Sequence, residues 1–324
     1  MRAERTNHDT SAAELAALLI LCRLARFFCC DTPYSVGYAK NMFLAGVLQA
    51  VLLLPMFFWR KPFSPPVPLR FAAQGLAIWL AADMAADCYR LLVAADAPNP
   101  PLTMILLILC VFYAANLPRT AVYRAGLFLL CAAVCAFLLL PIGGLSSARF
   151  LSLWSNSTQN RAFLLEWKES AELALLPFLA CKNPKPAKKA AAAWITVRCT
   201  ILPAVVLFGA MQCGRLRGFR GNPFMLLLAR VPFSDTLRTD GLWLMLAVGC
   251  AALGTAFLTQ VFLGSKPRVS KRFLFFGTGL LSVLTILFIM HGSDDGLSAA
   301  VSAVLTLLQR RCSGRETIRN DFSR

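Results

Sequence analysis

The chain has 324 residues, of which 58% are apolar and only 15% charged, with a formal net charge of +17. A soluble globular domain carries about one-quarter charged residues, so this balance excludes an ordinary soluble domain and points to a chain that lives in lipid. The basic residues fall in short clusters between apolar runs, which makes them determinants of membrane topology rather than a nucleic-acid surface.

A span needs about 20 helical residues to cross about 30 Å of hydrocarbon. Apolar segments separated by charges or Pro/Gly predict spans at 12–30, 42–59, 71–95, 102–117 and 124–143, then 164–181, 190–212, 241–263, 272–290 and 296–309. The prediction is an all-α membrane protein of about ten transmembrane helices, a single integral membrane domain over residues 1–324. Arg2 and Arg5 precede the first apolar run, and no small-residue cleavage site follows it, so the first span is read as retained. With the N-terminus inside, cytoplasmic segments hold twenty Lys and Arg against eight on the opposite side, which places both termini in the cytoplasm. The stretch Pro223 to Arg230, in the external segment, reads as an interfacial helix. Two five-span halves, joined by segment 144–163, put the second half in inverted orientation, the arithmetic of a five-plus-five inverted-repeat, transporter-like fold.

Charges inside the spans are the informative residues. They include Arg23 and Arg26 in span one, Asp83, Asp87 and Arg90 in span three, Glu166, Lys168, Glu169 and Glu172 in span six, and Arg198 in span seven. Each costs about 2.5–3.5 kcal/mol at a helix centre on insertion scales, so pairing or a water-filled cavity is required. Asp83, Asp87 and Arg90 recur at i, i+4 and i+7 and share a helix face; Arg23 and Arg26 share another. Their opposite signs predict pairing between spans one and three, with Glu166, Glu169 and Glu172 as competitors. A charge network that only orients helices, a ligand or ion pathway, and a docking site for a membrane partner all fit this pattern.

Span six is the least helix-like. Glu-Trp-Lys-Glu-Ser-Ala-Glu leads into Leu-Ala-Leu-Leu-Pro-Phe-Leu, which predicts an interrupted helix, tolerated at membrane depth where it is buried in protein or lines a cavity. Span one meets a similar stop at Cys29-Cys30-Asp31-Thr32-Pro33. Other chemistry is poorly represented. The twelve cysteines include no CxxC pair and lie mostly in apolar runs, and two histidines cannot build a His-rich metal site. No metal or cofactor is expected. Asn156-Ser157-Thr158 forms a sequon, and His291 stands near Ser293, Asp294 and Asp295, without the nucleophile elbow of a hydrolase. The chain does not read as an enzyme.

Leu176-Pro177-Phe178-Leu179 followed by Lys182-Asn183-Pro184-Lys185 resembles the spore-germination permease family, the B subunits of nutrient germinant receptors. Asn222 to Arg230, with Asp240 and Trp243 beyond, looks like that family's external helix and the start of its eighth span; Asn116 to Tyr123 is similar to its entry to span five, and Ser11-Ala12-Ala13-Glu14-Leu15 to its opening. The resemblance implies an amino acid/polyamine/organocation transporter fold, a small nutrient such as an amino acid bound near breaks in spans one and six, A and C receptor subunits as partners, and the spore inner membrane or bacterial cell membrane as location. In that reading Arg23 or Arg26 neutralises an anionic group, Glu169 and Glu172 flank the break, and Asp83, Asp87 and Arg90 belong to the charge network. The family's Gly-rich break in span one is replaced here by Arg23-Leu24-Ala25-Arg26-Phe27-Phe28. A secondary transporter of amino acids or polyamines is the alternative.

Overall fold

The computed structural model describes residues 12–29, 35–58, 65–144, 167–168, 170–180, 184–213, 239–264, 271–292 and 300–308. All regular structure among them is helical. The helices are α1 (Ala12–Cys29), α2 (Val36–Phe58), α3 (Val67–Ala94), α4 (Pro100–Asn116) and α5 (Arg119–Gly144). A 3₁₀ turn, Ala171–Leu175, runs into the short α6, Leu176–Ala180. Next, α7 joins Pro184–Thr196 to Leu202–Cys213 through a π turn at Val197–Ile201. The last are α8 (Thr239–Leu263), α9 (Lys271–His291) and α10 at 300–308.

Local chemistry explains the boundaries. Between α3 and α4, Asp96 and Asn99 take φ of 48° and 52°, a left-handed conformation that Asp and Asn tolerate best after glycine. Asn99 then hands over to Pro100 and Pro101 at the first helical positions, where a missing N–H costs nothing. Leu117 is extended because Pro118 follows it, which ends α4. At the end of α9, Gly292 has φ 77° and donates its N–H to the Phe288 carbonyl, a left-handed C-cap.

Among the described residues, five helical stretches are long and apolar enough to cross a membrane: Val36–Leu54, Arg119–Ala136, Lys185–Met211, Gly241–Leu263 and Arg272–His291. The pattern of exposure agrees with lipid around them. On α2 the exposed face carries Phe43, Leu44, Val47, Leu48, Val51 and Leu54; on α4 it carries Leu102, Ile105, Leu106, Leu109 and Tyr113. Apolar faces this continuous mark a membrane or partner surface on a folded chain. Charge is inside instead: Arg23, Arg26, Asp83, Asp87, Lys168, Glu172 and Arg198 are all buried. Helix hydroxyls turn back on their own carbonyls, as from Thr285 to Leu281 at 2.8 Å and Thr259 to Thr255 at 2.7 Å, which removes polar groups from an apolar surround.

The helices α3, α4, α8 and α9 form a quartet in which every pair is in contact. Against it lies α1, buried on all sides from Leu15 to Cys29 and packed on α8, α7, α5 and α3. α2 packs on α7. In lipid the hydrophobic effect gives little drive to helix association, so close packing at small residues has to hold such a bundle. α3 offers Ala77, Ala81, Ala82, Ala85 and Ala86, all buried. A Cβ on Gly254 of α8 would stand 2.7 Å from Met84 Sδ of α3 and 3.4 Å from Cys22 Sγ of α1. Gly254→Ala is therefore expected to lower bundle stability by about 1–3 kcal/mol, the usual cost of overpacking, read as a lower midpoint in SDS unfolding of the purified protein; Gly279→Ala, where no atom lies within 4 Å, serves as the neutral control.

The structure refines the predicted segments. α2 begins six residues earlier than the segment starting at 42, and α7 begins at Pro184, inside the stretch expected to be a cytoplasmic loop. Lys188, assigned to that loop, donates to the Phe57 carbonyl at 2.6 Å and so closes the C-terminal end of α2, where a cation is favoured by the helix dipole. α1 is continuous through Arg23 and Arg26, so no break interrupts it before Cys29. The candidate interfacial helix at 223–230, the sequon at Asn156 and the acidic turn at Asp294 and Asp295 lie outside the described residues.

Candidate functional site

The functional candidates converge where α1, α3 and α7 meet the irregular segment before α6. Asp83, on the small-residue face of α3, has no exposed surface. Arg26 of α1 donates from one guanidinium nitrogen to Asp83 Oδ2 at 3.0 Å and from the other to the Leu80 carbonyl at 3.2 Å. Lys168, from the chain leading into α6, places Nζ 3.5 Å from Asp83 Oδ1. One carboxylate thus holds cations from two other segments. Breaking such a buried arrangement leaves a charge uncompensated, so its members are energetically interdependent.

The break itself is visible in the backbone. A 3₁₀ turn at Ala171–Leu175 interrupts the α-helical geometry of span six just before α6, and every residue in it is buried. It places Glu172, 1% exposed, within electrostatic reach of Arg26, Arg23 and Arg198. Arg198 comes from the π turn of α7 and is itself fully buried. On the other side of the turn, Gln49 of α2 donates to Ser170 Oγ at 3.2 Å, and Trp167 Nε1 donates to Ser302 Oγ of α10 at 3.1 Å. These groups line a small cleft together with Thr306.

The expected partnership of spans one and three is present in the Arg26–Asp83 pair, with Asp87 also within electrostatic reach of Arg26; Arg23 and Arg26 both act on Glu172. Asp87 pairs within its own helix, with Arg90 at 2.6 Å, and the Arg90 side chain is 41% exposed. The second guanidinium nitrogen of Arg90 donates to the Phe288 carbonyl at 2.5 Å, tying α3 to the end of α9. Arg90 thus braces the quartet at one end. One more turn of α3 carries it toward the bundle end, and Asp87, within electrostatic reach of Asp83, Lys168 and Arg26, joins it to the buried cluster. Glu166 and Glu169 lie outside the described residues.

The cluster also contains two cations that were not among the candidate ligand residues. Arg198 is the only charge between Lys189 and Cys213, and that isolation in an apolar run was the available signal. Lys168 sits in the same polar stretch as the expected acids and takes up Asp83, beside Glu172, which faces Arg26 and Arg23. Among the described residues no group of three His, Cys, Asp or Glu side chains could hold a metal ion. Chemically, the arrangement is suited to binding and orienting a charged solute at a point of irregular backbone.

No known family model matches the chain, and no curated protein matches it. The likeness to spore-germination permeases therefore stands on the residue stretches quoted above. Of these, Leu176-Pro177-Phe178-Leu179 falls in α6, and Asn116 to Tyr123 runs from the end of α4 across Leu117 and Pro118 into the first turn of α5; Asn222 to Arg230 is outside the described residues.

Proposed function

We propose that the chain is a ten-span membrane protein of five-plus-five inverted-repeat architecture that binds a small nutrient, such as an amino acid, at the α1–α3–α6 charge cluster. In this reading it is the permease-like subunit of a germinant receptor, with A and C subunits beside it, in the spore inner membrane or bacterial cell membrane, both termini cytoplasmic. The observation that carries the binding role is the Arg26–Asp83–Lys168 bridge, buried at the point where span six is broken. Interrupted helices at the midplane are where transporter-like folds hold their ligands.

Pairing within the quartet, and of α2 with α7, is compatible with the repeat. If each of the first five helices corresponds to the one five places later, the contacts of α3 with α4 and with α9 map onto those of α8 with α9 and with α4, and all four occur. The pairs α2 with α7, α3 with α8 and α4 with α9 map onto themselves, and these also pack. The polar braces follow the same exchange. Arg90, near the end of α3, donates to a terminal carbonyl of α9; Gln260, near the end of α8, donates to the Ala114 and Leu117 carbonyls at the end of α4, at 3.0 and 3.2 Å.

Deleting the gene in the source organism is expected to abolish germination with at least one nutrient; unchanged germination with every nutrient, in a strain lacking redundant receptors, counts against the sensor. The second reading, a secondary transporter, draws on the buried Glu172 as a group that could carry a coupling charge. Liposomes with reconstituted protein separate the two: gradient-driven amino acid or polyamine uptake identifies a transporter, and saturable binding without uptake identifies a sensor.

A further inference from the structure

We infer that the cleft between α2, the segment entering α6 and α10 is a subsite for an uncharged hydrogen-bond donor, the carboxamide or hydroxyl end of a small solute, with Gln49 Oε1 as its acceptor. The inference rests on the proposed solute-binding role for its biological ligand and adds a contact beside the break in span six.

Gln49 is the only polar side chain of α2 between Asn41 and Phe58, and it is 5% exposed. A polar side chain within a span commonly serves to join helices, and its amide does donate through Nε2 to Ser170 Oγ at 3.2 Å. That contact uses one end of the group. The other end, Oε1, is enclosed and accepts no hydrogen bond among the described residues. A buried acceptor left without a donor is costly, and an apolar residue of the same size would avoid that cost. Joining α2 to Ser170 therefore accounts for the nitrogen of the amide, and a missing donor accounts for its oxygen.

The cleft supplies the room. Gln49 lines it together with Ser170, Ser302 and Thr306, and Leu52, Leu53 and Leu173 contribute apolar wall. Counting its open mouth it measures about 250 Å³, but the free space inside admits only a group about the size of one water, such as an amide NH₂ or a hydroxyl. The terminal torsion of a glutamine is broad, which lets Oε1 turn to a group seated there. Neighbouring donors are directed elsewhere: Trp167 Nε1 donates to Ser302 Oγ at 3.1 Å, and Thr306 Oγ1 to the Ser302 carbonyl at 2.8 Å. No charged side chain is among the described residues that line the cleft, so a cation would lose its hydration with no counter-charge to receive it. An uncharged N–H or O–H group loses less and makes the missing bond.

Full-length protein in lipid nanodiscs, titrated with acetamide or ethylene glycol, tests the inference by thermal unfolding. N,N-dimethylacetamide, which has no N–H, and ammonium chloride are the comparisons and are expected to give no shift. A saturable stabilisation by acetamide identifies a carboxamide ligand, and one by ethylene glycol a hydroxyl ligand. Gln49→Leu is expected to weaken that binding by roughly tenfold, the worth of one buried hydrogen bond. Its unfolding midpoint without additive is expected to be unchanged or raised, because the unpaired acceptor leaves with the amide. Should Gln49→Leu fail to fold, Thr306→Leu, which fills the cleft from α10 and keeps Gln49, is expected to weaken binding to the same extent. The subsite is overturned if neither neutral donor gives a saturable shift, or if ammonium stabilises and the neutral donors do not. Equal donor affinity in wild type and the folded variant also overturns it, and marks Gln49 as a joint between helices. Nutrient binding or uptake that persists without a donor shift removes the subsite alone. A donor shift that Gln49→Leu abolishes, in a protein that neither binds nor carries any nutrient, keeps the subsite and removes the proposed function.

Discussion

Asp83→Ala is expected to lower the stability of the folded bundle by about 3–5 kcal/mol, the penalty for removing one partner of a buried ion pair. Asp83 compensates Arg26 and Lys168 at once, so the substitution leaves cations of α1 and of the α6 segment facing an alanine on α3. SDS unfolding of the purified protein measures the loss. The informative companion is the triple variant Asp83→Leu, Arg26→Leu and Lys168→Met, because Lys168 would otherwise stay buried without its carboxylate. Replacing a buried ion pair or triad by apolar residues of similar size is often neutral or stabilising, so much of the stability should return. Nutrient binding should not return if the bridge serves the ligand. A triple variant that recovers both stability and binding would show the bridge to be a device for orienting helices only.

The second large effect distinguishes lipid from water around the bundle. Leu109 lies near the middle of α4, 57% exposed, on a face shared with Ile105, Leu106 and Tyr113. Leu109→Arg is expected to cost about 2.5–3.5 kcal/mol of insertion free energy for this segment, read by a glycosylation-mapping insertion assay as a shift from the inserted toward the translocated form. On a soluble bundle the same exposed substitution would be neutral or would improve solubility. Leu107→Arg, on the buried face of the same helix, meets packed neighbours and should disrupt folding in either solvent, so it is the comparison that separates exposure to lipid from burial in protein.

Much of this organisation was legible in the sequence because the lipid constraint is so strong. Apolar length located the helices, and the i, i+4, i+7 pattern of α3 brought Asp83 to the face that meets Arg26. Arg90 holds to that face through its pair with Asp87, and one further turn of α3 also brings it to the end of α9. In span six the expected acid Glu172 does face Arg26 and Arg23, while the pairing of Lys168 with Asp83 was not selected by side-chain sign. The π turn at Arg198 was hidden likewise, because widening of a helix by one residue leaves hydropathy unchanged. Helix ends shifted where polar residues had a tertiary task, as Lys188 does in closing α2.

The burial of α1 on every side has a consequence for how the protein is made. An 18-residue helix containing Glu14, Arg23 and Arg26 is poorly suited to rest in lipid alone, and it is not among the stretches apolar enough to do so. Its natural surroundings are α3, α5, α7 and α8, all of which leave the ribosome later. α1 thus emerges before the helices it most needs, and the nascent chain must shelter it until Asp83 arrives.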